Sequence, residues 1–263
     1  MDERWKFVDT FLQAQSERSL RRSLRPLSCS GSGARVAYQG RLLLNLASND
    51  YLGLKNDPRL AEAAASAARA WGIGSGASRL ISGTTELHET LEQKLARFHN
   101  TESALTFSSG YAAGVGVIQA LASRGDRVYL DRQCHACLYD GARLSGARLK
   151  RFRHNDQNHL ESLLAARGSD RGKALVVTDT VFSMDGDRAP LKEIARICRK
   201  HGALFLADEA HAVGVLGHGG RGLASELGLG EEEDVDRAGE FPPFEGHIPP
   251  NAAGIHRISG GKD

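Results

Sequence analysis

Asp208 and His211 stand three residues apart, directly after the apolar run Ala203-Leu-Phe-Leu-Ala. A run without polar alternation reads as a parallel strand buried on both faces, and in open α/β sheets chemistry gathers where strands end. A carboxylate placed there can salt-bridge a protonated ring nitrogen of a bound cofactor, while the imidazole hydrogen-bonds a neighbouring ring substituent. The string Asp208-Glu-Ala-His211 also fits acids that hold Mg²⁺ beside a nucleotide. That use needs a G-x-x-x-x-G-K-[ST] loop upstream, and the sequence has none. In a third reading Asp208 caps the next turn and His211 is an ordinary surface histidine.

Further candidates fall after other apolar runs. Ser109-Gly110-Tyr111 sits where a strand gives way to a helix, and the free N–H groups and dipole of a helix start attract anions such as phosphate. His135 follows a strand ending at Leu130, where a planar imidazole can stack on a flat heteroaromatic ring. Thr178 to Asp187, with Ser183, leaves a strand in the same way and brings hydroxyls to that edge. Cys134-His135-Ala136-Cys137 has redox or zinc spacing, but Cys29 and Cys198 are isolated and supply no second ligand pair. No metal is expected.

These residues require a particular scaffold. Between Thr85 and Asp208 helical and strand patterns alternate: helices over 85–99, 111–122, 135–144, 156–166 and 190–201, and strands over 104–107, 127–130, 148–152, 174–179 and 203–208. Alternation at these lengths implies βαβ units, hence an α/β fold with a mainly parallel sheet and helices on both faces. Upstream, apolar residues from Trp5 to Leu24 predict an amphipathic helix over 3–24, stopped by Pro26. Ser28 to Gly33 reads as a loop, and 35–46 as two short strands around Gln39-Gly40. Asp57-Pro58 opens a helix over 58–71, and the Gly-rich stretch 72–84 predicts a close backbone approach. Gly217 to Gly222 fits G-x-G-x-x-G by letter but lies too far past its strand for a dinucleotide site.

The chain has 263 residues, 41% of them hydrophobic, enough for a sizeable core. Its 34 basic and 32 acidic residues are well mixed and leave a net charge of +2, so no field favours nucleic acid or an anionic membrane. No apolar run is long enough to span a bilayer, and the cytoplasm is the expected compartment. The expected organisation is an N-terminal helix with short strands over 1–44, a large domain over 45–230, and a disordered tail over 231–263.

Ser48-Asn-Asp-Tyr-Leu-Gly-Leu54, Gly74-Ser-Gly-Ala-Ser-Arg-Leu-Ile-Ser-Gly-Thr84, Ser109-Gly-Tyr111, His154-Asn-Asp156, Val181-Phe-Ser-Met-Asp-Gly-Asp187 and Asp208-Glu-Ala-His211 closely resemble the α-oxoamine synthases. These are fold-type I enzymes that use pyridoxal 5′-phosphate (PLP). The resemblance runs from about residue 3 to 236 and is strongest to the branch that condenses L-alanine with a pimeloyl thioester, carried by CoA or a carrier protein, in biotin biosynthesis. It implies that Ser109, Gly110 and Tyr111 meet the cofactor phosphate, that His135 stacks on the ring and faces the substrate, and that Ser183 and His211 bond the phenolic oxygen region. Asp208 would pair with the ring nitrogen. Arg21, Asn49 and His135 would contact substrate, with His135 and Asp208 as the catalytic pair. Asp179 stands where the family has Glu. A homodimer is implied as well. The sister activity on glycine and acetyl-CoA shares these residues and stays open, as does a non-catalytic chain that keeps the fold.

The resemblance also implies a Thr-x-Ser-Lys segment shortly after His211, whose lysine holds the cofactor as a Schiff base. Here that stretch reads Asp236-Arg-Ala-Gly-Glu-Phe, and the sole lysine after His211 is Lys262. The sequence therefore predicts an incomplete large domain, a truncated chain, and turnover lower by orders of magnitude.

Overall fold

The computed structural model describes residues 3–29, 34–168, 172–229 and 256–259. The chain divides into two compact units, Met1–Ser66 and Ala67–Asp263.

In the first unit α1 spans Lys6–Glu17, shorter than the predicted helix. Ser19 adopts φ +54°, and Leu20 N returns to Gln15 O at 2.8 Å while Ser19 N returns to Ser16 O at 3.0 Å. That pair of bonds satisfies the last carbonyls and ends the helix before Pro26 is reached. Arg21 consequently lies beyond the helix. Strands β2 (Arg35–Tyr38) and β3 (Arg41–Leu44) form the expected hairpin. Gln39 and Gly40 both take positive φ, 49° and 74°, as a two-residue turn matching strand twist requires. A short strand β1 (Ser28–Cys29) pairs with β2, where a loop was expected. Helix α2 runs Pro58–Trp71 as predicted, with Asp57 Oδ1 accepting from Arg59 N at 2.9 Å.

The second unit contains α3 (Glu86–His99), α4 (Gly110–Leu121), β4 (Arg127–Asp131), α5 (Ala136–Leu144), β5 (Arg148–Phe152), α6 (Gln157–Ala165), β6 (Ala174–Asp179), α7 (Leu191–Lys200), β7 (Leu204–Asp208), α8 (Leu223–Glu226) and β8 (His256–Ser259). The sheet order is β5-β4-β6-β7-β8, with the first four strands parallel and β8 antiparallel to β7. The expected strand over 104–107 does not form. Thr106 N and Oγ1 both donate to Glu92 Oε1 at 2.8 Å, so its backbone N–H goes to a side chain instead of a ladder. The expected disordered tail lies outside the described residues except for β8, which is a strand.

Side-chain alternation divides the sheet's core. Val128, Leu130, Leu175, Val177 and Leu206 pack on the face covered by α4 and α5, while Tyr129, Val176, Phe205 and Ala207 pack on the face covered by α6 and α7. Helices α4 and α5 approach closely because position 141 is glycine: a Cβ there would sit 2.9 Å from Gly114 O. Leaving β4 the chain turns toward β5, and leaving β6 it turns the opposite way toward β7. The crevice at this reversal, between the ends of β4 and β6, is where ligands enter such sheets.

Candidate functional site

Three of the parallel strands end on aspartate: Asp131 on β4, Asp179 on β6 and Asp208 on β7. Alternation sends Asp179, two residues after Val177, and Asp208, two after Leu206, to the α4–α5 face. Asp131, two after Tyr129, goes to the other face. Asp179 and Asp208 are register partners on neighbouring strands. Burial, and then the charge of Asp208, push the Asp179 carboxyl up to about 7, against a bond from His135 N. That bond is long, 3.4 Å to Asp179 Oδ1. Asp208 Oδ1 accepts from Ala210 N at 3.0 Å, and no described residue hydrogen-bonds its Oδ2.

His135 is the N-cap of α5. Its Nδ1 accepts from Cys137 N at 3.3 Å and lies 3.0 Å from Cys137 Sγ, so the neutral ring carries its proton on Nε2. Burial, followed by the charges of Asp208 and Asp179, pushes the Cys137 thiol up to about 12. It remains a protonated donor beside the ring. Cys134 is buried, with Sγ 3.7 Å from Val177 O. The two cysteines of the C-x-x-C string thus face different partners, and among the described residues no group of three or more His, Cys, Asp or Glu side chains converges as a metal site.

At the start of α4, Ser109 Oγ accepts from Ala112 N at 3.1 Å, and Ser109 O accepts from Ala113 N at 3.0 Å. Helix geometry leaves the N–H groups of Gly110 and Tyr111 without intrahelical acceptors. Tyr111 is 51% exposed, and its hydroxyl donates to Asp140 Oδ2 at 2.8 Å, a contact that raises the phenol's pKa. Asp140 was not anticipated; it lies on α5, and only the α4–α5 packing brings it to Tyr111.

Ser183 is exposed in the loop after β6, and His211 is half-buried after β7. Between Asp208 and His211, Glu209 is buried (2% exposed) and its Oε1 accepts from Ala224 N at 2.7 Å. The acid beside the site therefore anchors the 209–224 segment. Arg79, in the Gly-rich stretch, is not free for a ligand. It forms a bidentate pair with Glu92 at 2.7 and 3.1 Å and also donates to Thr106 Oγ1 at 3.1 Å. In the first unit Arg21 is exposed, and exposed Asn49 has its Oδ1 3.5 Å from Tyr51 OH.

The second unit thus brings His135, Asp179 and Asp208 onto one edge of the sheet. No described residue hydrogen-bonds Asp208 Oδ2 or the N–H groups of Gly110 and Tyr111, and with the exposed His135 imidazole these are the kinds of donor and acceptor that a phosphorylated, protonated heteroaromatic ring takes.

Comparison with known proteins agrees. The chain belongs to the aminotransferase class I and II family, whose model matches residues 41–235. The 8-amino-7-oxononanoate synthase of Geobacter sulfurreducens is 52% identical over 225 residues, 85% of this chain and 57% of that protein. The Pelobacter propionicus protein of the same name is 54% identical over 203 residues, 77% of this chain and 51% of its own. A solved serine palmitoyltransferase from S. paucimobilis with a bound PLP–myriocin aldimine superposes with a TM-score of 0.78 at 35% identity, covering 86% of this chain and 57% of that one. The expected likeness to α-oxoamine synthases and the fold-type I architecture are both borne out. The chain spans little more than half the length of these relatives.

Proposed function

We propose that this chain forms the PLP-binding part, residues 45–230, of an acyltransferase of the 8-amino-7-oxononanoate synthase type, acting on L-alanine and a pimeloyl thioester. The observation that carries the reading is Asp208, whose Oδ2 no described residue hydrogen-bonds, on the sheet edge that also presents His135. PLP supplies an electron sink for the carbanion formed at the amino acid's α-carbon, and the sink works when its ring nitrogen is protonated. Asp208 holds that proton in place by ion pairing. His135 would stack on the ring, with its Nε2 proton available to the substrate. Gly110 and Tyr111 would give backbone N–H groups to the phosphate, beside Ser109, the N-cap of α4. Ser183 and His211 would hold the phenolic oxygen region, and the family resemblance assigns Arg21 and Asn49 to the substrate. Large apolar side chains exposed on α1 (Phe7, Phe11) and α3 (Leu87, Leu91) support a homodimer, and no helix among the described residues is long and apolar enough to cross a membrane.

Titration with PLP tests the reading. Absorbance and fluorescence should report a saturable complex, and Asp208→Asn should weaken it at least tenfold, about the 1.4 kcal/mol of one lost charged contact. Alanine should perturb the spectrum more than glycine or serine. Borohydride followed by peptide mapping reports whether Lys262, outside the described residues, holds the cofactor covalently. Equal PLP affinity in the parent and Asp208→Asn would overturn the assignment.

A further inference from the structure

On the face of the sheet opposite Asp179 and Asp208, His154 stands between two carboxylates. Its Nδ1 is 3.0 Å from Asp131 Oδ1 and its Nε2 is 2.8 Å from Asp187 Oδ2. A neutral imidazole has one N–H and one lone pair, so it can serve only one of two carboxylates. Asp131 is fully buried, and its oxygens also accept from Gln133 N and Asn155 N, each at 2.8 Å, so it faces the ring as an acceptor. Asp187 Oδ2 accepts from Asn155 Nδ2 at 2.7 Å as well. Serving both carboxylates at once requires a proton on each ring nitrogen. Burial alone would lower the pKa of His154, but the bonds to Asp131 and Asp187 outweigh it and hold the ring above its ordinary value.

The other charged groups around the ring are engaged elsewhere. Arg153 pairs with Asp156 at 2.7 Å on the same loop, and Arg188 pairs with Glu226 at 2.7 Å while its carbonyl takes Asn155 Nδ2 at 3.4 Å. The ring also meets Phe182 edge-on, with centroids 4.4 Å apart. Phe182 N donates to Asp187 O at 3.0 Å and Gly186 N to Phe182 O at 2.8 Å, closing a turn around Ser183. On the other side Asp131 Oδ1 and O hold Gln133 N and Cys134 N at 2.8 and 3.2 Å, which fixes the turn leading to His135.

We propose that His154 is a positioning residue: as an imidazolium clamped between Asp131 and Asp187, it ties the turn that presents His135 to the turn that presents Ser183. Its importance for the cofactor rests on the reading of those two residues given above. The clamp is complete below the ordinary histidine range and is lost as pH rises through the higher folded value.

The test begins on the unaltered protein without cofactor. The ring's NMR titration should lie above the unfolded histidine value, and amide-exchange protection over 181–187, corrected for intrinsic rate, should fall across the same pH range. His154→Gln and Asp187→Asn should each weaken PLP binding about tenfold, with little further loss in the double variant, because both remove one shared contact. The pH dependence of affinity attributable to this titration should vanish in either variant. Unchanged protection across the ring's titration, or additive losses in the double variant, would overturn the clamp. Should the unaltered protein fail to bind PLP, the functional reading falls, and the exchange data alone still decide whether His154 joins the two turns.

Discussion

Asp179 and Asp208 face each other across β6 and β7 as register partners on one side of the sheet, with His135 N bonded to the first and the open oxygen belonging to the second. Two buried carboxylates so placed do not both ionise cheaply, and burial, with the charge of Asp208 beside it, pushes the Asp179 carboxyl up to about 7.

This pairing sets a slope of stability against pH. An aspartate with a folded pKa raised to about 7 releases its proton more readily when unfolded. Its contribution is intact below the unfolded value near ~3.9 and is lost as pH rises to about 7. Asp179→Asn should therefore be more stable than the parent by a few kcal/mol at pH 8 and nearly equal to it around pH 4, read from urea unfolding at each pH.

Arg79 and Glu92 form a half-buried pair with side chains 8% and 15% exposed. Burial alone would raise the Glu92 pKa, but Arg79 and Thr106 outweigh it and hold the carboxyl below its usual value. Arg79→Ala leaves the part-buried carboxylate with only its Thr106 bonds and should cost about 2 kcal/mol in chemical denaturation. Glu92→Gln, which keeps the shape, should cost less and should remove part of the acid sensitivity seen as pH falls through the carboxylate range.

Gly222 has φ +97°, and a Cβ there would collide with the Glu209 carboxylate. Gly222→Ala should destabilise the protein by more than about 2 kcal/mol through combined strain and lost anchoring of Ala224 N. Limited proteolysis should then cut within 209–224 first.

Cys134 and Cys137 are buried, and burial pushes both thiols up, Cys137 to about 12. Iodoacetamide at pH 7.5 should leave both unmodified in the folded protein and alkylate both in urea. Rapid native alkylation of Cys137 would reopen a redox use of the C-x-x-C string.

Local chemistry in the sequence by itself determined the order and nearly all the bounds of the elements from α3 to β7, because their periodicities are long and their caps, such as Thr85, Ser109 and Asp156, are local. It also placed the residues that could do chemistry at or just past strand ends, and two of the expected strands, 174–179 and 203–208, end on aspartate. Only the tertiary structure decided which of those aspartates act together. Strand order and side-chain parity put Asp179 with Asp208 on one face and turn Asp131 to His154 on the other, a choice that depends on register and neighbours rather than on spacing along the chain. For the same reason Thr106 joined Glu92 instead of a strand, and α1 stopped at Glu17 once Ser19 turned left-handed. Where the competing partners were distant in sequence, only folding could choose between them.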